Sequence, residues 1–418
     1  MFIFVVVVLL VLSLAGMPIA LALGIGSLGS ILINGTIPLS VVSQKVITGM
    51  NSFSLLAIPF FILSGDLMSG GGLTKALMNI ARKLVGWVKG SISIVSIVSS
   101  AFFGAVTGSA IATASAIGGM TIPEMIDDGY EPGYAASVST AGAILGPLIP
   151  PSIGLIVYAS MTGASVQALF KGTLLPGFLF AVVYCIICYN IAKKRNYKTR
   201  PRASWKEIFS AIYNGKWAIL MPAIVLGCIF SGITTATEAS VIAVAYSLII
   251  GMFVHKDLKV KDLPQIFLNS AVSTAAMYLL IGFSNIVGWI IAITNVSVSL
   301  TNWILSISSS KWFIVSFITI LGLILGCLMD VVAVILILTP ILYSLVLSIG
   351  YTPVEFGVIL CTLMMLGHIT PPVGASLLLS NSIAKADIMS TVKESIPFLL
   401  ASIVLVILLW IFPQYLIL

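Results

Sequence analysis

Charged residues are what this chain has least of. They make up 8% of its 418 residues, where soluble proteins carry roughly 25%. A water-facing surface needs more than that, which excludes a cytosolic enzyme, and a nucleic-acid binder too in spite of a pI near 9.1. Cysteine is scarce as well: Cys185, Cys188, Cys228, Cys327 and Cys361 all fall inside apolar segments. A thiol there behaves as a small hydrophobe, so no secreted disulfide scaffold follows. The two histidines, His255 and His368, are too few and too far apart for a recognisable metal cluster. The first apolar run has no basic flank and no small-residue cleavage site, so it reads as a retained span and not a signal peptide.

What the chain has in abundance is apolar length. Hydrophobic residues form 59% of it, its mean hydropathy is +1.18, and residues 2–14, 217–230 and 401–412 carry no charge. Stretches suited to crossing about 30 Å at 1.5 Å per residue fall at 2–15, 17–34, 53–69, 133–161 and 168–192. The second half adds 217–231, 235–253, 267–293, 354–382 and 395–415. Two more, 90–125 and 312–346, are too long for one helix and carry a break near the middle; each reads as a re-entrant helical hairpin. The expected fold is an all-α polytopic membrane protein with about ten spans, two hairpins and two broken helices at 133–161 and 354–382.

Lysine and arginine give that topology a test, because they collect on the inner side of a membrane. With the N-terminus outside and both hairpins returning to their own face, only Lys45, Lys171 and Lys311 of the 20 Lys and Arg fall outside. Counting either hairpin as a single crossing would scramble this bias. The densest basic run, 193–206, then lies in a cytoplasmic connector, 193–216, between two halves, 1–192 and 217–418.

The halves repeat. Gly129-Tyr130-Glu131-Pro132 returns as Gly350-Tyr351-Thr352-Pro353, and Gly146-Pro147-Leu148-Ile149-Pro150-Pro151 returns as Gly367-His368-Ile369-Thr370-Pro371-Pro372, both 221 residues on. The same offset sets Ser109 against Asp330. The first hairpin would open inward and the second outward, so the repeats are inverted, the pattern of a secondary transporter with a midplane site. An amphipathic segment precedes each hairpin: before the first, Leu73, Leu77, Ile80, Leu84 and Trp87 share one face with Lys75, Asn79 and Lys83 opposite, and its counterpart before the second has Val296, Leu300, Trp303 and Ile307. Each reads as a helix along the interface, or else as a continuation of the preceding span.

Chemistry concentrates at the breaks. Residues 103–115 are a cluster of glycines and hydroxyls, including Gly104, Thr107 and Ser109, which lets backbone approach a ligand and offers hard oxygens; tight helix packing would use the same residues. Its counterpart, Gly326-Cys327-Leu328-Met329-Asp330, puts a carboxylate in an apolar run, where it needs a partner. No basic residue lies in the neighbouring spans, so a bound cation is the simplest partner, with a protonated acid on backbone as the other. Paired prolines at Pro150-Pro151 and Pro371-Pro372 must unwind the helices and free carbonyls for a cavity or an ion. We therefore expect substrate at Thr107, Ser109, Ser152 and Asp330. Cation ligands are expected from Gly104, Ser109, Gly146, Pro150, Gly326, Asp330, Gly367 and Thr370. Glu238 divides evenly between scaffold and function, while Asp66 and Glu124 read as solvated at inner ends. An intramembrane hydrolase would need a second acid or a metal–His set at one depth, and a channel fits paired broken helices less well.

With these motifs placed, the chain resembles the large membrane subunit of the tripartite ATP-independent periplasmic (TRAP) transporters. Gly16-Met17-Pro18-Ile19, the segment 55–65, Gly108-Ser109-Ala110, Ile149-Pro150-Pro151-Ser152 and Pro176-Gly177 carry the resemblance. Ala236 departs from it, standing where the family often has proline. The resemblance implies sodium-driven, elevator-type uptake of a C4-dicarboxylate, sialic acid or a related carboxylate across the bacterial inner membrane. It also implies a periplasmic binding protein and a four-helix small membrane subunit as partners, the bilayer lipid apart, with Na+ as coupling ion and no organic cofactor. A stand-alone sodium/carboxylate symporter of similar architecture is the alternative.

Overall fold

A computed structural model describes the backbone of residues 1–197, 199, 201–371 and 374–417, with all of their side chains except that of Leu14. Lys198 and Arg200 of the connector, and Pro372 and Val373 of the second broken helix, lie outside the described residues. Among those described, the regular structure is helical throughout. The chain opens with α1 (Phe2–Leu14), α2 (Ile19–Asn34), α3 (Ser40–Met50), α4 (Ala57–Gly70) and α5 (Leu73–Val85). A first hairpin follows: α6 (Ser91–Thr107), then a helical return of α7 (Ala110–Thr113), a π-turn at Ala114–Gly118 and α8 (Gly119–Asp127). Next come α9 (Pro132–Leu148) and α10 (Ile153–Thr162), the halves of the first broken helix.

The middle of the chain is α11 (Val166–Lys194), α12 (Trp205–Phe230), α13 (Ala236–Ile249), α14 (Leu263–Ile293) and α15 (Val296–Ile307). The second hairpin is α16 (Lys311–Leu328) and α17 (Val331–Ser348), and the second broken helix is α18 (Pro353–Met365) and α19 (Ala375–Ala384). α20 (Ile388–Ile411) and the short α21 (Pro413–Leu416) close it.

Nine stretches among the described residues are long and apolar enough to cross a membrane. α1 and α2 fall short at 13 and 16 residues, and 354–382 is interrupted between α18 and α19. The structure departs from the expectation most at α12 and α3. α12 begins at Trp205, inside the stretch read as a connector, because Ser204 and Glu207 close a capping box there. α3 fills a segment left without an element; its Val, Ser, Gln and Lys pattern is too polar to register as a span.

The repeated Gly-Tyr-x-Pro motif is a joint. Gly129 (φ +86°) and Gly350 (φ +92°) adopt the left-handed conformation that ends a helix. The amides of Gly129 and Tyr130 donate to Ile126 and Met125, and those of Gly350 and Tyr351 donate to Leu347 and Val346. Each pair of bonds is a Schellman closure, and Pro132 or Pro353 then starts the next helix at its first turn. A helix stop, a reversal and a helix start are thus written in four residues, twice.

The core is built around α9 and α18, buried on nearly all sides. α9 is rich in Gly, Ala and Ser, which lets other helices approach its backbone closely. A Cβ on Gly104 of α6 would lie 2.5 Å from the Gly146 Cα. In the second half, a Cβ on Gly367 would fall on the Gly326 carbonyl. Polar ties fix the surroundings: Tyr184 Oη lies 2.6 Å from Ser402 Oγ, and Tyr158 Oη donates to the Pro353 carbonyl at 2.7 Å. At the basic end, Arg195 reaches Glu131 (3.2 Å) and Glu394 (2.7 Å), and Arg82 pairs with Glu124.

The glycine crossings generate a test. Gly367→Ala forces a methyl into backbone and is expected to cost about 1–3 kcal/mol, read as a lower thermal unfolding midpoint in detergent. Gly288→Ala, where a Cβ meets nothing within 4 Å, is the control and should match or exceed the unsubstituted protein. Equal midpoints for the two variants would count against the close crossing.

Candidate functional site

Each hairpin turns at the residue chosen from the 221-residue offset. α6 ends at Gly108 (φ +61°), whose Cβ position lies 2.5 Å from the Pro151 carbonyl, so this tip presses on the break of the first broken helix. Ser109 follows in extended conformation and accepts a bond from the Ala112 amide at 3.3 Å. In the second hairpin Asp330 takes the same place, its Oδ1 accepting from the Val332 amide at 2.9 Å. Serine and aspartate are interchangeable here because both are strong N-caps. The amide bond and the helix dipole also supply part of what a carboxylate loses on leaving bulk water.

The breaks leave backbone oxygens without their helical donors. Pro147, Pro150 and Pro151 lack N–H groups, so the carbonyls of Ala143, Gly146 and Pro147 have no donor four residues on. Pro150-Pro151 is a cis bond. Beside it the Ser152 hydroxyl is buried with no hydrogen-bond partner. An orphaned buried hydroxyl near donor-free carbonyls fits a hard cation such as sodium. In the second break the Thr370 hydroxyl donates to the Leu366 carbonyl at 2.7 Å.

Two small cavities meet here. One, of about 70 Å³, is lined by Gly108, Ser109 and Ala110 of the first tip, Ile153 and Gly154 of α10, and Asp330, Val331 and His368 of the second half. The other, of about 130 Å³, is lined by Gly326, Asp330, Gly367, His368 and Gly374, with Ile19 of α2. Asp330, Val331 and His368 belong to both and form the wall between them. Three helix starts, at Ala110, Ile153 and Val331, face the smaller cavity. Each presents free amides and the positive end of its dipole. Three positive ends and one carboxylate make a place for an anion with a cation beside it. Neither cavity reaches the ~300 Å³ of an ordinary ligand pocket.

Of the expected site residues, Ser109 and Asp330 come together in the smaller cavity, and Gly326, Asp330 and Gly367 in the larger. Ser152 lies next to both Pro151 and Ile153 at the contact with Gly108. Gly104 and Gly146 sit at the helix crossing, and the Gly104 carbonyl already accepts the Gly108 amide at 3.0 Å. Thr107, expected to meet substrate, turns away. Its hydroxyl donates to the Phe103 carbonyl at 3.3 Å and its methyl packs on Gly65 of α4. Pro150 and Thr370 line neither cavity.

Sequence reasoning missed His368, weighed only as a metal ligand. It is buried, its Nδ1 lies 3.2 Å from Ser376 Oγ, and it shares both cavities with Asp330, which corrects the reading that no basic group is near that acid. The signal was available: His368 occupies the place of Pro147 in the repeat, as a lone ionisable residue in an apolar motif. Glu238 is a cap, accepting from the Thr235 amide at 2.7 Å, and Asp66 accepts from Ser270 of α14.

Residues 6–415 match the family model for the DctM component of the tripartite ATP-independent periplasmic transporter. The chain is 37% identical to the isethionate TRAP transporter permease protein DctMQ of Oleidesulfovibrio alaskensis over 92% of its own length, and spans 61% of that relative. It is 32% identical to the sialic acid TRAP transporter large permease protein SiaM of Vibrio cholerae, covering 96% of this chain and 94% of SiaM. It is also 32% identical to the C4-dicarboxylate TRAP transporter large permease protein DctM of Rhodobacter capsulatus, covering 97% and 95%. Among solved structures, the YdaH transporter of Alcanivorax borkumensis superposes with a TM-score of 0.65 at 13% identity, over 90% of this chain and 89% of YdaH. MtrF of Neisseria gonorrhoeae gives 0.60 at 14%, over 88% and 84%. At such identities these two share the fold.

The two roles of Asp330, cap and charge, are separable by substitution. Asp330→Asn keeps a capping side chain and is expected to leave the unfolding midpoint of the purified protein unchanged. Asp330→Ala removes the cap at about 1 kcal/mol. A drop in midpoint as large for Asn as for Ala would show that the charge, and not the cap, holds this turn.

Proposed function

The chain belongs to the DctM family, the large permease subunits of the tripartite ATP-independent periplasmic transporters, and we propose that it imports a small organic acid coupled to sodium. The observation that carries this is the smaller cavity, where three helix N-termini converge on the one acid, Asp330. An anionic head group is held there by amides and by the hydroxyl of Ser109. Sodium is held by Asp330 and by oxygens at the breaks, among them those of Gly146, Ser152 and Gly367. The ion then balances both the substrate and the buried carboxylate, which couples the two binding events.

The substrate is a carboxylate or a chemically similar oxyanion. The relatives above are named for isethionate, sialic acid and C4-dicarboxylates, and what these have in common is an anionic oxygen cluster on a small polar body. Transport proceeds by an elevator-type movement of the hairpins and broken helices as one block, during which the Asp330–His368 wall shifts and the cavities merge. The protein sits in the bacterial inner membrane with its basic end in the cytoplasm and its N-terminus in the periplasm. It works with a small four-helix membrane subunit and a periplasmic binding protein that delivers the acid.

Uptake into proteoliposomes holding this chain, the small subunit and the binding protein is expected to require an inward sodium gradient. With excess sodium it should also respond to voltage, since one net charge gains about 2.3 kcal/mol per 100 mV. Equal uptake in sodium and choline buffers would refute the coupling. Asp330→Asn should lower uptake and flatten its sodium dependence together, whereas Ser109→Ala should mainly raise the substrate concentration needed for half-maximal uptake.

Omitting either partner is expected to abolish uptake. Robust transport by the purified chain alone would instead favour the stand-alone symporter.

A further inference from the structure

A large cavity lies away from the transport site. It is a groove of about 860 Å³ between α6, α11 and α12, with almost wholly apolar walls that include Val98, Phe102, Phe178, Val182, Tyr189 and Pro222. Phe178 is 65% and Ile186 52% exposed along it, so the groove opens toward the surroundings of the helices, which is lipid. Its lining includes Ile149, the residue that follows α9, packed against Gly177 of α11.

The groove changes character at one end. Along α11 its stripe of Phe178, Val182, Ile186 and Tyr189 reaches Lys193 one turn later. Lys89 follows the lining residue Val88, and its neighbour Gly90 packs against Cys188 and Ala192 of α11. That contact sets Lys89 at the level of Lys193. The Arg202 guanidinium lies over the Trp87 ring, 4.8 Å from its centroid, beside Val88. Arg202 itself lines a separate polar cavity with Glu124 and Glu207, so two cations, Lys89 and Lys193, rim the end of an apolar trough together with Tyr189. Nearby, Arg82 and Lys83 are engaged by Glu124 and Glu207, whereas Lys89 and Lys193 are exposed. A partner helix would fill the trough without any use for this rim. A phospholipid with a net negative head group uses both parts, as in basic pockets between membrane helices on the cytoplasmic side.

We propose that the α6–α11–α12 groove seats the acyl chains of an acidic phospholipid, with Lys89 and Lys193 holding its phosphate. An acyl chain in the groove rests on Ile149, so the lipid packs against the break of the first broken helix, one residue from the cis Pro150-Pro151 bond.

The test uses the full chain, delipidated in detergent. Phosphatidylglycerol, phosphatidylcholine with the same acyl chains, and soluble glycerol phosphate are titrated in turn, with binding read by native mass spectrometry and stability by thermal unfolding. Phosphatidylglycerol is expected to bind more tightly and raise the midpoint more than phosphatidylcholine, and glycerol phosphate to do neither. Lys89→Gln with Lys193→Gln, both at exposed positions, should weaken phosphatidylglycerol roughly fivefold per charge removed, the equivalent of about 1 kcal/mol each, and leave phosphatidylcholine unaffected. Val182→Trp, which fills the trough, should weaken both lipids. Equal affinity for the two lipids would overturn the proposal, as would a preference that survives the double substitution. So would glycerol phosphate matching the lipid, or displacement of phosphatidylglycerol by the added small subunit.

Discussion

A backbone carbonyl without a donor is tolerated at membrane depth only where protein or bound ligand surrounds it, and this structure creates such carbonyls at the first break and then encloses them. Prolines make the breaks, and the glycine crossings do the enclosing. Gly104 on Gly146 and Gly326 on Gly367 bring each hairpin against its broken helix at backbone contact. At that distance the hairpin tip, and not lipid, faces the unpaired oxygens. A side chain at either crossing would hold the helices apart and open the breaks to hydrocarbon. The convergence of Ser109, Asp330 and His368 on shared cavities follows from that closeness.

The two halves supply the same scaffold and different chemistry. The Schellman-and-proline joints, the crossings and the tip caps recur at one offset. Yet Ser109 stands opposite Asp330 and Pro147 opposite His368, so every ionisable group of the centre comes from the second half. The first half contributes proline-freed carbonyls and the unpartnered Ser152 hydroxyl instead. One half is thus suited to oxygen coordination alone, and the other to a full charge.

Much of this was legible in the sequence because the constraints are local. Paired prolines, a glycine before Tyr-x-Pro and an acid in an apolar run each act on their own few residues, so hairpins, breaks and the Ser109–Asp330 correspondence could be read before any coordinates. What could not be read depends on side-chain direction or distant packing. Thr107 lies two residues from Ser109, but helix geometry turns it to α4. His368 meets Asp330 only because α18 folds back beside α17. Glu238 carries the residue type of a functional acid and is taken up by its own helix start. The start of α12 at Trp205 was masked by the basic residues around it, which make a helix look like a loop when hydropathy is the guide.

The caps at 109 and 330 also bear on how such a centre could arise. Most positions in an apolar core punish the arrival of a carboxylate, since structure and charge are penalised together. At an N-cap the exchange of serine for aspartate keeps a bond to a first-turn amide, Ala112 for Ser109 and Val332 for Asp330, and the extended backbone. A duplicated ancestral segment could therefore acquire an electrical difference between its copies by a single replacement, without renegotiating the packing around it. In that sense the hairpin tip is an evolutionary test bed, where charge can be varied while the architecture stays fixed.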